Sequence, residues 1–547
     1  MYGGNEPIIM GEIKLLDCTL RDGGYLNDWN FGHDSIVNIY ERLVSSEVDM
    51  IEIGFLNESQ KFNIDRTIQP DSRSLDRLYD KLDKGKSLIV GMIDYGTCSI
   101  SQIIPCEQSY LDGIRVIFKK PKRHEAIAFC HEIKALGYKV FVQAVSITSY
   151  TDEELEDLLT LVNELEPYAF SLVDTYGLLH KNQLIHYFDL ADKKLKPTIG
   201  LGYHSHNNFQ LAYSNCIELI EKNISRLLLV DGSLYGMGKS AGNAPIELLA
   251  TYLNDTGRSH YKVYHLLEAI DTAILDIRKE IQWGYSFKFF VSASNDCHPN
   301  YVSYLMDKKK LSVKSINEIL EQITPEKKLN YDKEYIEKLY VTYQKRDCND
   351  TGDRQALLAK FTGKKILLMG PGKSIQRNPG NVEKYQKLDG VVTIAVNFIP
   401  EGMHIDYLFI SNAKRYVQIS SKLNALDNRP VVIATSNVTS AGKTFPYSLN
   451  YSDLLDEQAM IVDNPMIMFM KLLTEGQIES LALAGFDGYV ESESANYVNP
   501  NMEHSFSHEK AQDINKDVVK SIRHLDLNYP YFYLTESLYQ KVTGDES

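Results

Sequence analysis

The stretch Ile13-Lys14-Leu15-Leu16-Asp17-Cys18-Thr19-Leu20-Arg21-Asp22-Gly23-Gly24 decides the fold of the first half of this chain. Its apolar half predicts a buried β-strand, which ends where the charged Arg21-Asp22 pair begins. The two glycines after the pair allow a sharp exit from the strand and the close approach of a ligand. The pair itself is either a salt bridge or a metal ligand beside an oxyanion donor, and this stretch alone leaves both interpretations open.

Seven further short apolar stretches follow, and most of them are separated by amphipathic, helix-like segments. These predicted strands cover 50–55, 87–93, 112–118, 139–145, 169–174, 198–204 and 226–231. Between them, Thr151 and Glu154 form a capping-box pattern that predicts a helix start. Strands that alternate with helices are typical of a parallel sheet. Eight such units in about 240 residues favour a closed (β/α)8 barrel over an open sheet.

Polar residues collect where these predicted strands end, which is the active-site face of such a barrel. They are Arg21, Asp22, Glu52, Asp94, Asp174, His204, His206 and Asp231. The period-two spacing of His204 and His206 would turn both imidazoles to one side of a strand. Together with Asp22 they could hold one divalent ion, and mixed nitrogen and oxygen ligands suit Mn²⁺, Zn²⁺, Co²⁺ or Fe²⁺ and tolerate Mg²⁺.

A glycine-rich segment, residues 231–247, follows the eighth predicted strand. Gly236, Gly238 and Gly242 predict a flexible loop before a helix. Such a loop can cradle an anion on its backbone amides, or it can simply close the barrel. It is not a Walker loop, because the required spacing and ending are absent.

Three ordered motifs are similar to those of the DRE-TIM metallolyase superfamily, which includes 4-hydroxy-2-oxovalerate aldolase, hydroxymethylglutaryl-CoA lyase and isopropylmalate synthase. They are Asp-Cys-Thr-Leu-Arg-Asp-Gly, His204-Ser205-His206-Asn207-Asn208 and Gly-Met-Gly-Lys-Ser-Ala-Gly-Asn-Ala-Pro-Ile-Glu. The glycine loop most resembles the 4-hydroxy-2-oxovalerate aldolases. Trp283-Gly284-Tyr285-Ser286 and His298-Pro299-Asn300-Tyr301 also look like the helical extension of those aldolases. The resemblance covers roughly residues 10–325.

The resemblance implies roles for individual residues. Asp22, His204 and His206 would hold a divalent ion, Mn²⁺ first and Mg²⁺, Zn²⁺ or Co²⁺ as alternatives, with Asn243 as a further ligand. Arg21 would stabilise an enolate oxygen. The resemblance further implies that the partners are a 2-oxo acid and an aldehyde, joined or separated through a pyruvate enolate. Substrate-binding residues would be Arg21, Glu52 and Thr175.

Tyr25 departs from the aldolase pattern. The hydroxy-oxovalerate aldolases have a catalytic histidine at this position, three residues after the metal-binding aspartate. A tyrosine with its ordinary pKa near 10 is a poor base at neutral pH. Either Tyr25 is an activated catalytic residue, or a metal-bound hydroxide or another side chain acts, or the substrate differs. A Claisen-type synthase that uses an acyl-CoA and a non-catalytic metal-binding scaffold therefore remain alternatives.

The second half of the chain starts a new pattern. The strand Lys365-Ile366-Leu367-Leu368-Met369 runs into Gly370-Pro371-Gly372-Lys373-Ser374, and four more strands are predicted, at 391–397, 407–411, 430–434 and 481–488. This pattern predicts an open, Rossmann-like α/β domain. Gly370, Gly372 and Ser374 stand where such a sheet would hold a phosphate. The pattern resembles sialyltransferase-like and pterin-diphosphokinase-like domains, which implies a nucleotide, nucleotide-sugar or pterin ligand, whereas a structural or assembly module is the alternative.

Length, charge and cysteine content limit the remaining possibilities. The chain has 547 residues, which exceeds one ordinary core. We expect an aldolase barrel over 10–255, a helical extension over 256–345, a linker over 346–362 and a Rossmann-like domain over 363–547. A net charge of −15 disfavours nucleic acid and anionic membranes as partners. No signal peptide or membrane span is predicted. Seven scattered cysteines without CxxC spacing predict a reduced, cytoplasmic protein. We also expect a homo-oligomer.

Overall fold

The structure is a computed structural model that describes residues 11–328, 330–345, 348–438, 444–490, 496–498 and 508–543. The chain divides into two compact units, Met1–Pro299 and Asn300–Ser547. The division falls inside the segment that we predicted as a helical extension. Within the described ranges, no helix has both the length and the apolar character needed to cross a bilayer.

The first unit is built on a closed barrel of eight parallel strands. They are β1 (Ile13–Asp17), β2 (Met50–Leu56), β3 (Leu88–Asp94), β4 (Gly113–Phe118), β5 (Lys139–Ala144), β6 (Ala169–Asp174), β7 (Gly200–Ser205) and β8 (Leu228–Gly232). Each strand pairs with the next along the chain, and β8 pairs with β1. Leu16 lies opposite Met50 of β2, and Leu15 lies opposite Val230 of β8. A two-residue strand, Ile68–Gln69, adds to β2 at its end. The barrel prediction is therefore confirmed.

The side chains of each barrel strand point alternately inward and outward and so fill two layers of core. Leu16, Val90 and Phe141 pack with one another inside the barrel. Leu15 and Val116 instead join the larger core between the strands and the surrounding helices. Because neighbouring strand residues face opposite sides, one apolar run can serve both layers.

Helices surround the barrel and follow it. The α-helices of this unit are Thr19–Asp22, Gly24–Asn27, His33–Ser45, Ser72–Asp76, Arg123–Ala135, Asp152–Leu165, Lys181–Lys194, Ala212–Glu221, Ile246–Asp255, Val263–Ala269, Leu275–Glu280 and Phe287–Ser294. Short 3₁₀ turns cover Ile100–Gln102, Cys106–Gln108, Lys120–Lys122, Ile147–Ser149 and Leu234–Gly236, and a π-helical turn covers Ile270–Ile274. The predicted capping box is present: Glu154 N donates to Thr151 Oγ1 at 3.3 Å, and Thr151 N donates to Glu154 Oε2 at 2.9 Å.

One predicted helix is shorter than the sequence indicated. An Asp or Ser start signal predicts a helix over 71–82, whereas the α-helix is Ser72–Asp76. The chain continues in tighter turns, with Tyr79 N donating to Asp76 O. These turns accompany the burial of Tyr79, whose hydroxyl donates to Ile53 O at 2.8 Å. Apolar spacing in the sequence does not distinguish α-helical turns from these tighter turns.

The second unit contains an open sheet of seven parallel strands. They are β9 (Lys365–Met369), β10 (Val391–Val396), β11 (Tyr407–Ile410), β12 (Val431–Thr435), β13 (Tyr447–Leu449), β14 (Ser480–Ala484) and β15 (Tyr531–Tyr533). Their order is β13-β12-β11-β10-β9-β14-β15, so the chain changes direction across the sheet between β9 and β14. The open α/β prediction is confirmed. The sequence missed β13 and β15 because three residues are too few to show a strand period.

The helices of the second unit include one that lies within the predicted linker. They are Pro299–Asp307, which begins at the last residue of the first unit, Val313–Leu320, Pro325–Lys328, Lys333–Gln344, Thr351–Phe361, Ser374–Arg377, Pro379–Gln386, Ala413–Ala425, Pro465–Leu473, His508–His524 and Leu538–Thr543, with a 3₁₀ turn at Ser452–Leu454. The predicted linker, 346–362, contains a complete helix, Thr351–Phe361, whose Leu357 and Phe361 are buried. Its polar composition reflects the exposed face of that helix.

Candidate metal centre

Three buried side chains converge at the carboxyl-terminal face of the barrel. Asp22 ends the short helix after β1, His204 lies on β7, and His206 follows β7 directly. One donor atom from each lies within 4.8 Å of the other two. The intervening Ser205 directs its hydroxyl toward Cys216 at 3.9 Å. The period-two spacing thus places both imidazoles at one site, as the strand geometry requires.

The hydrogen bonds of the two histidines leave nitrogen atoms that could bind an ion. His204 Nδ1 lies 2.9 Å from Asp231 Oδ2. A carboxylate at Nδ1 fixes the proton on that nitrogen and leaves Nε2 as the ligand atom. His206 Nδ1 is buried and has no hydrogen-bond partner among the described residues. Burial lowers the pKa of His206 to about 3, which keeps its imidazole neutral, the form that binds metal.

Asn243 completes the donor set. Its Nδ2 donates to Asp22 Oδ2 at 2.8 Å and to Met237 O at 3.2 Å. Its Oδ1 is buried and has no hydrogen-bond partner among the described residues. Buried polar atoms of this kind are rare without a partner. Two imidazoles, a carboxylate and an amide oxygen fit a divalent transition-metal ion, so the residues present fit the implied metal.

Arg21 and Glu52 form a buried charge pair beside the ligands. Arg21 Nη1 donates to Asp22 Oδ1 at 2.6 Å, and Arg21 Nε donates to Glu52 Oε2 at 2.6 Å. Burial opposes ionisation of Asp22, but the nearby guanidinium and imidazoles hold its pKa well below the usual range. Glu52 has 0% of its surface exposed. We predicted that Glu52 binds substrate, and this stays a prediction; its Oε2 accepts from Arg21, and its Oε1 has no hydrogen-bond partner among the described residues.

Arg115 was missed by the sequence analysis. It lies on β4 with its side chain inside the barrel, where it bonds to Asp231 and donates to Gln143 Oε1 at 3.0 Å. Its Nη1 is 3.4 Å from Glu52 Oε1. Burial opposes ionisation of Asp231, but Arg115 and His204 lower its pKa. The one available signal was a charged residue in the otherwise apolar strand Gly113-Ile114-Arg115-Val116-Ile117-Phe118.

Tyr25, Thr175 and Lys239 lie near the rim of the site. Tyr25 retains 38% exposure and packs edge-on against Trp29 at 4.8 Å between ring centroids. Desolvation of its hydroxyl raises the pKa of Tyr25 to about 12, so it keeps its proton at neutral pH. Thr175 follows β6, and its Oγ1 accepts a hydrogen bond from Ser146 N at 2.8 Å. Lys239, on the glycine loop, was not identified from the sequence.

In the second unit, the predicted phosphate loop is bonded internally. Gly370 N donates to Ala484 O at 2.8 Å, Gly372 N donates to Gly485 O at 2.9 Å, and Ser374 N donates to Asp487 Oδ2 at 2.7 Å. These bonds occupy the backbone amides of the three predicted phosphate-binding residues, and the carboxylate of Asp487 disfavours an anion beside those amides. The sequence could not show that the chain after β14 returns to this loop.

A cavity of about 350 Å³ nevertheless opens beside that loop. It is lined by residues that follow strand ends, including Gly372 after β9, Asn397 after β10 and Asn412 after β11. We expect His504 and His508 to be surface residues rather than ligands; His504 lies outside the described residues, and so does the side chain of His508.

Comparisons with known proteins concern the first unit. The HMGL-like family model matches residues 12–274. The 4-hydroxy-2-oxovalerate aldolase of Geobacillus thermodenitrificans is 24% identical over 280 residues, which are 49% of this chain and 79% of that protein. The oxaloacetate decarboxylase of Mycobacterium tuberculosis is 23% identical over 275 residues, 50% of this chain and 76% of that protein. Among solved structures, the N-terminal domain of a candidate aldolase from Bacteroides vulgatus has a TM-score of 0.46 at 24% identity, covering 55% of this chain and 98% of that one.

Proposed function

We propose, on the premise that residues 12–274 belong to the HMGL-like family, that this protein is a metal-dependent lyase acting on a 4-hydroxy-2-oxo acid. The observation that carries the proposal is the convergence of Asp22, His204 and His206 at the end of the barrel where active sites lie. The adjacent Arg21 supplies a fixed positive charge. The similarity to 4-hydroxy-2-oxovalerate aldolases supports this choice of substrate class.

The proposed reaction breaks the C3–C4 bond of the substrate. Loss of the 4-hydroxyl proton turns C4 into an aldehyde carbon, while the bonding electrons move into the 2-oxo group and form the enolate of pyruvate. Protonation at C3 then gives pyruvate, and the reverse sequence joins pyruvate to an aldehyde. When bound, a divalent ion supplies Lewis-acid polarisation of the 2-oxo group. Among the alternatives we assign Mn²⁺ first, from the mixed nitrogen and oxygen donors.

Arg21 is placed to stabilise the enolate oxygen. Its Nε and Nη1 are held by Glu52 and Asp22, whereas Nη2 makes no hydrogen bond with a described residue. A donor held in this way needs no rearrangement when negative charge develops on the substrate. Thr175, at the end of β6, is a second donor for the substrate carboxylate. Tyr25 is a neutral donor at the rim, because its raised pKa makes it unsuitable as the base.

Pyruvate release from a panel of 4-hydroxy-2-oxo acids tests this proposal. Mn²⁺-loaded protein should release pyruvate, whereas chelated protein and Asp22→Ala should not, because a metal ligand is lost. The exposed Asp80→Ala is the matched control and should behave like the unaltered protein. Stoichiometric metal binding without pyruvate release from any substrate would contradict the proposal.

The presence of Tyr25 where a base is expected favours two other functions. A protonated tyrosine in place of a base suits a Claisen-type synthase or a binding scaffold, since neither needs a base to remove a 4-hydroxyl proton. Consumption of acetyl-CoA in the presence of a 2-oxo acid would identify the synthase. Metal binding with neither activity would identify the scaffold. The cytoplasmic location and the homo-oligomer remain predictions, which cell fractionation and sedimentation would test.

For the second unit we propose a small-molecule site in the cavity beside the Gly370–Ser374 loop. The cavity opens at the carboxyl ends of the strands, where the chain order reverses between β9 and β14. Open α/β sheets bind ligands at such points. A nucleotide or nucleotide-sugar remains the predicted ligand class. Calorimetric titration of the whole protein with representative nucleotides tests it, and loss of binding in Asn397→Leu would place the ligand in this cavity.

A further inference from the structure

The backbone of Lys239 is fixed beside the candidate metal ligands. Lys239 N donates to Asp22 Oδ2 at 3.2 Å. The preceding residue, Gly238, packs so closely that an added Cβ would lie 2.3 Å from Asn243 Nδ2. The position of Lys239 is therefore determined by the same packing that holds the ligand set, and its side chain starts from a defined point.

The ammonium group of Lys239 lies between two tyrosine rings at the rim. Its Nζ is 5.4 Å from the ring centroid of Tyr25, which follows β1, and 5.9 Å from that of Tyr176, which follows β6. Desolvation raises the pKa of both tyrosine hydroxyls, that of Tyr25 to about 12, so both are neutral. Aromatic faces partly compensate a cation for the loss of water.

No acidic partner neutralises this ammonium group. Among residues that the structure describes, no carboxylate oxygen lies within 4.0 Å of Lys239 Nζ, and Nζ makes no hydrogen bond. Burial lowers the pKa of Lys239, while Asp22 and Asp94 act in the opposite direction. Asp22 is already engaged by Arg21 and Asn243. A partly buried cation without an ion pair is costly, so an arriving anion would be favoured here.

We propose that Lys239 binds an anionic group, a carboxylate or a phosphate, on the part of the substrate that leaves as the aldehyde. This inference rests on the proposed lyase function and makes its substrate class more specific. Lys239 Nζ makes no ion pair with Asp22 and lies 5.4 Å from the ring centroid of the partly exposed Tyr25, so we assign its ligand to the rim of the site. In the proposed lyase reaction the 2-oxo acid end of the substrate would instead lie beside Asp22, Arg21 and Thr175.

The test compares matched 4-hydroxy-2-oxo acids whose distal ends are a methyl group, a carboxylate or a phosphate. The unaltered protein should have a higher kcat/KM for one of the anionic substrates than for the methyl substrate. Lys239→Met should lower the ratio of these two kcat/KM values by about 10- to 100-fold, the value of one charge-assisted contact. Lys239→Arg should retain most of the preference. Lys193→Met, which removes one exposed lysine from helix Lys181–Lys194, controls for net charge. Comparison of the carboxylate substrate with the phosphate substrate identifies which anion Lys239 binds.

A second measurement is independent of turnover and of the folding of any variant. Lys239 should be acylated by an amine-directed reagent at mildly alkaline pH, with the modified residue located by mass spectrometry, since its Nζ makes no hydrogen bond or ion pair with a described residue. A 2-oxo dicarboxylate should protect Lys239 more strongly than pyruvate does. Equal protection by both would overturn the inference.

The kinetic outcomes separate the two proposals. Pyruvate release with the same substrate ratio in the unaltered protein and Lys239→Met would overturn the inference and leave the lyase function intact. An equal fall for all three substrates would also overturn it, because Lys239 would then act on the shared 2-oxo acid end. Absence of pyruvate from every substrate would overturn the lyase function, and this inference with it.

Discussion

Replacement of Gly238 by alanine should disrupt the metal centre through a single methyl group. A Cβ at this position would lie 2.3 Å from Asn243 Nδ2 and 2.5 Å from Asp22 Oδ2, whereas real Cβ atoms essentially never come closer than 3.0 Å. The two side chains would have to move by about 0.7 Å and 0.5 Å to reach even that limit. Site residues need to be held within about 0.5 Å of their working positions.

The expected loss can be estimated from these displacements. Both side chains belong to the candidate ligand set, and each is also held by other bonds, such as that from Arg21 Nη1 to Asp22 Oδ1. We expect Mn²⁺ affinity to fall by about 10- to 100-fold, which corresponds to about 1.4–2.8 kcal/mol. Isothermal titration calorimetry of metal-free protein with Mn²⁺ measures this directly, and pyruvate release should fall in parallel at limiting Mn²⁺.

Gly352→Ala provides the matched control. Gly352 lies in helix Thr351–Phe361, and an added Cβ there would meet no atom within 4 Å. This change should leave metal affinity unaltered and should stabilise the protein by roughly 0.5–1 kcal/mol, because alanine is the better helix residue. If Gly238→Ala bound Mn²⁺ within twofold of the unaltered protein, the close packing of the glycine loop on the ligands would not govern the site.

The remaining predictions concern charge and metal. Arg21→Lys should lower kcat for pyruvate release by about 10²–10³-fold, because the single nitrogen of lysine cannot occupy the separate positions of the three guanidinium nitrogens; an unchanged kcat would remove Arg21 from the mechanism. Asp231→Asn should weaken Mn²⁺ binding by about 10- to 100-fold in calorimetry, since His204 Nδ1 loses its charged acceptor, and equal affinity would refute that role. Burial raises the pKa of Asp17 from 3.8 to about 7, so its stabilising contribution is present below about pH 4 and is lost as pH rises to 7. Denaturant unfolding should show that loss, on the order of 4 kcal/mol, and Asp17→Asn should remove this pH dependence. Mn²⁺ at 100 times its Kd should raise the free energy of unfolding by about 2.7 kcal/mol, and Asp22→Ala should abolish the increase.

The fold of both units was largely predictable, because it depends on local patterns that the sequence displays. Each barrel strand is an apolar run that must be buried on both faces, and the helices between them carry one apolar face. The capping box at Thr151 marked a helix start that the structure confirms. Predictions failed where a segment was too short for periodicity, as at β13 and β15, or where a polar helix face resembled a linker, as at Thr351–Phe361.

The candidate ligands were predictable in part for the same reason. His204 and His206 have the spacing of one strand face, and Asp22 follows the end of another strand, so parallel topology alone brings them to one edge. Arg115 could not be assigned to the site, because the sequence does not reveal that its side chain crosses the barrel interior to Asp231. Lys239 looked like an ordinary loop residue until the rings of Tyr25 and Tyr176 were placed around it.

The sequence by itself determined the eight-strand barrel, the open second sheet and which side chains stand at strand ends, because periodicity and chain order are local properties. Only the tertiary structure decided which of those side chains meet and what each atom is free to do. It enclosed Glu52 between two arginines, directed the carboxylate of Asp487 to Ser374, and left Lys239 Nζ without an ion pair to any described carboxylate. These outcomes depend on contacts between residues far apart in the chain, whose distances and solvation no local pattern encodes.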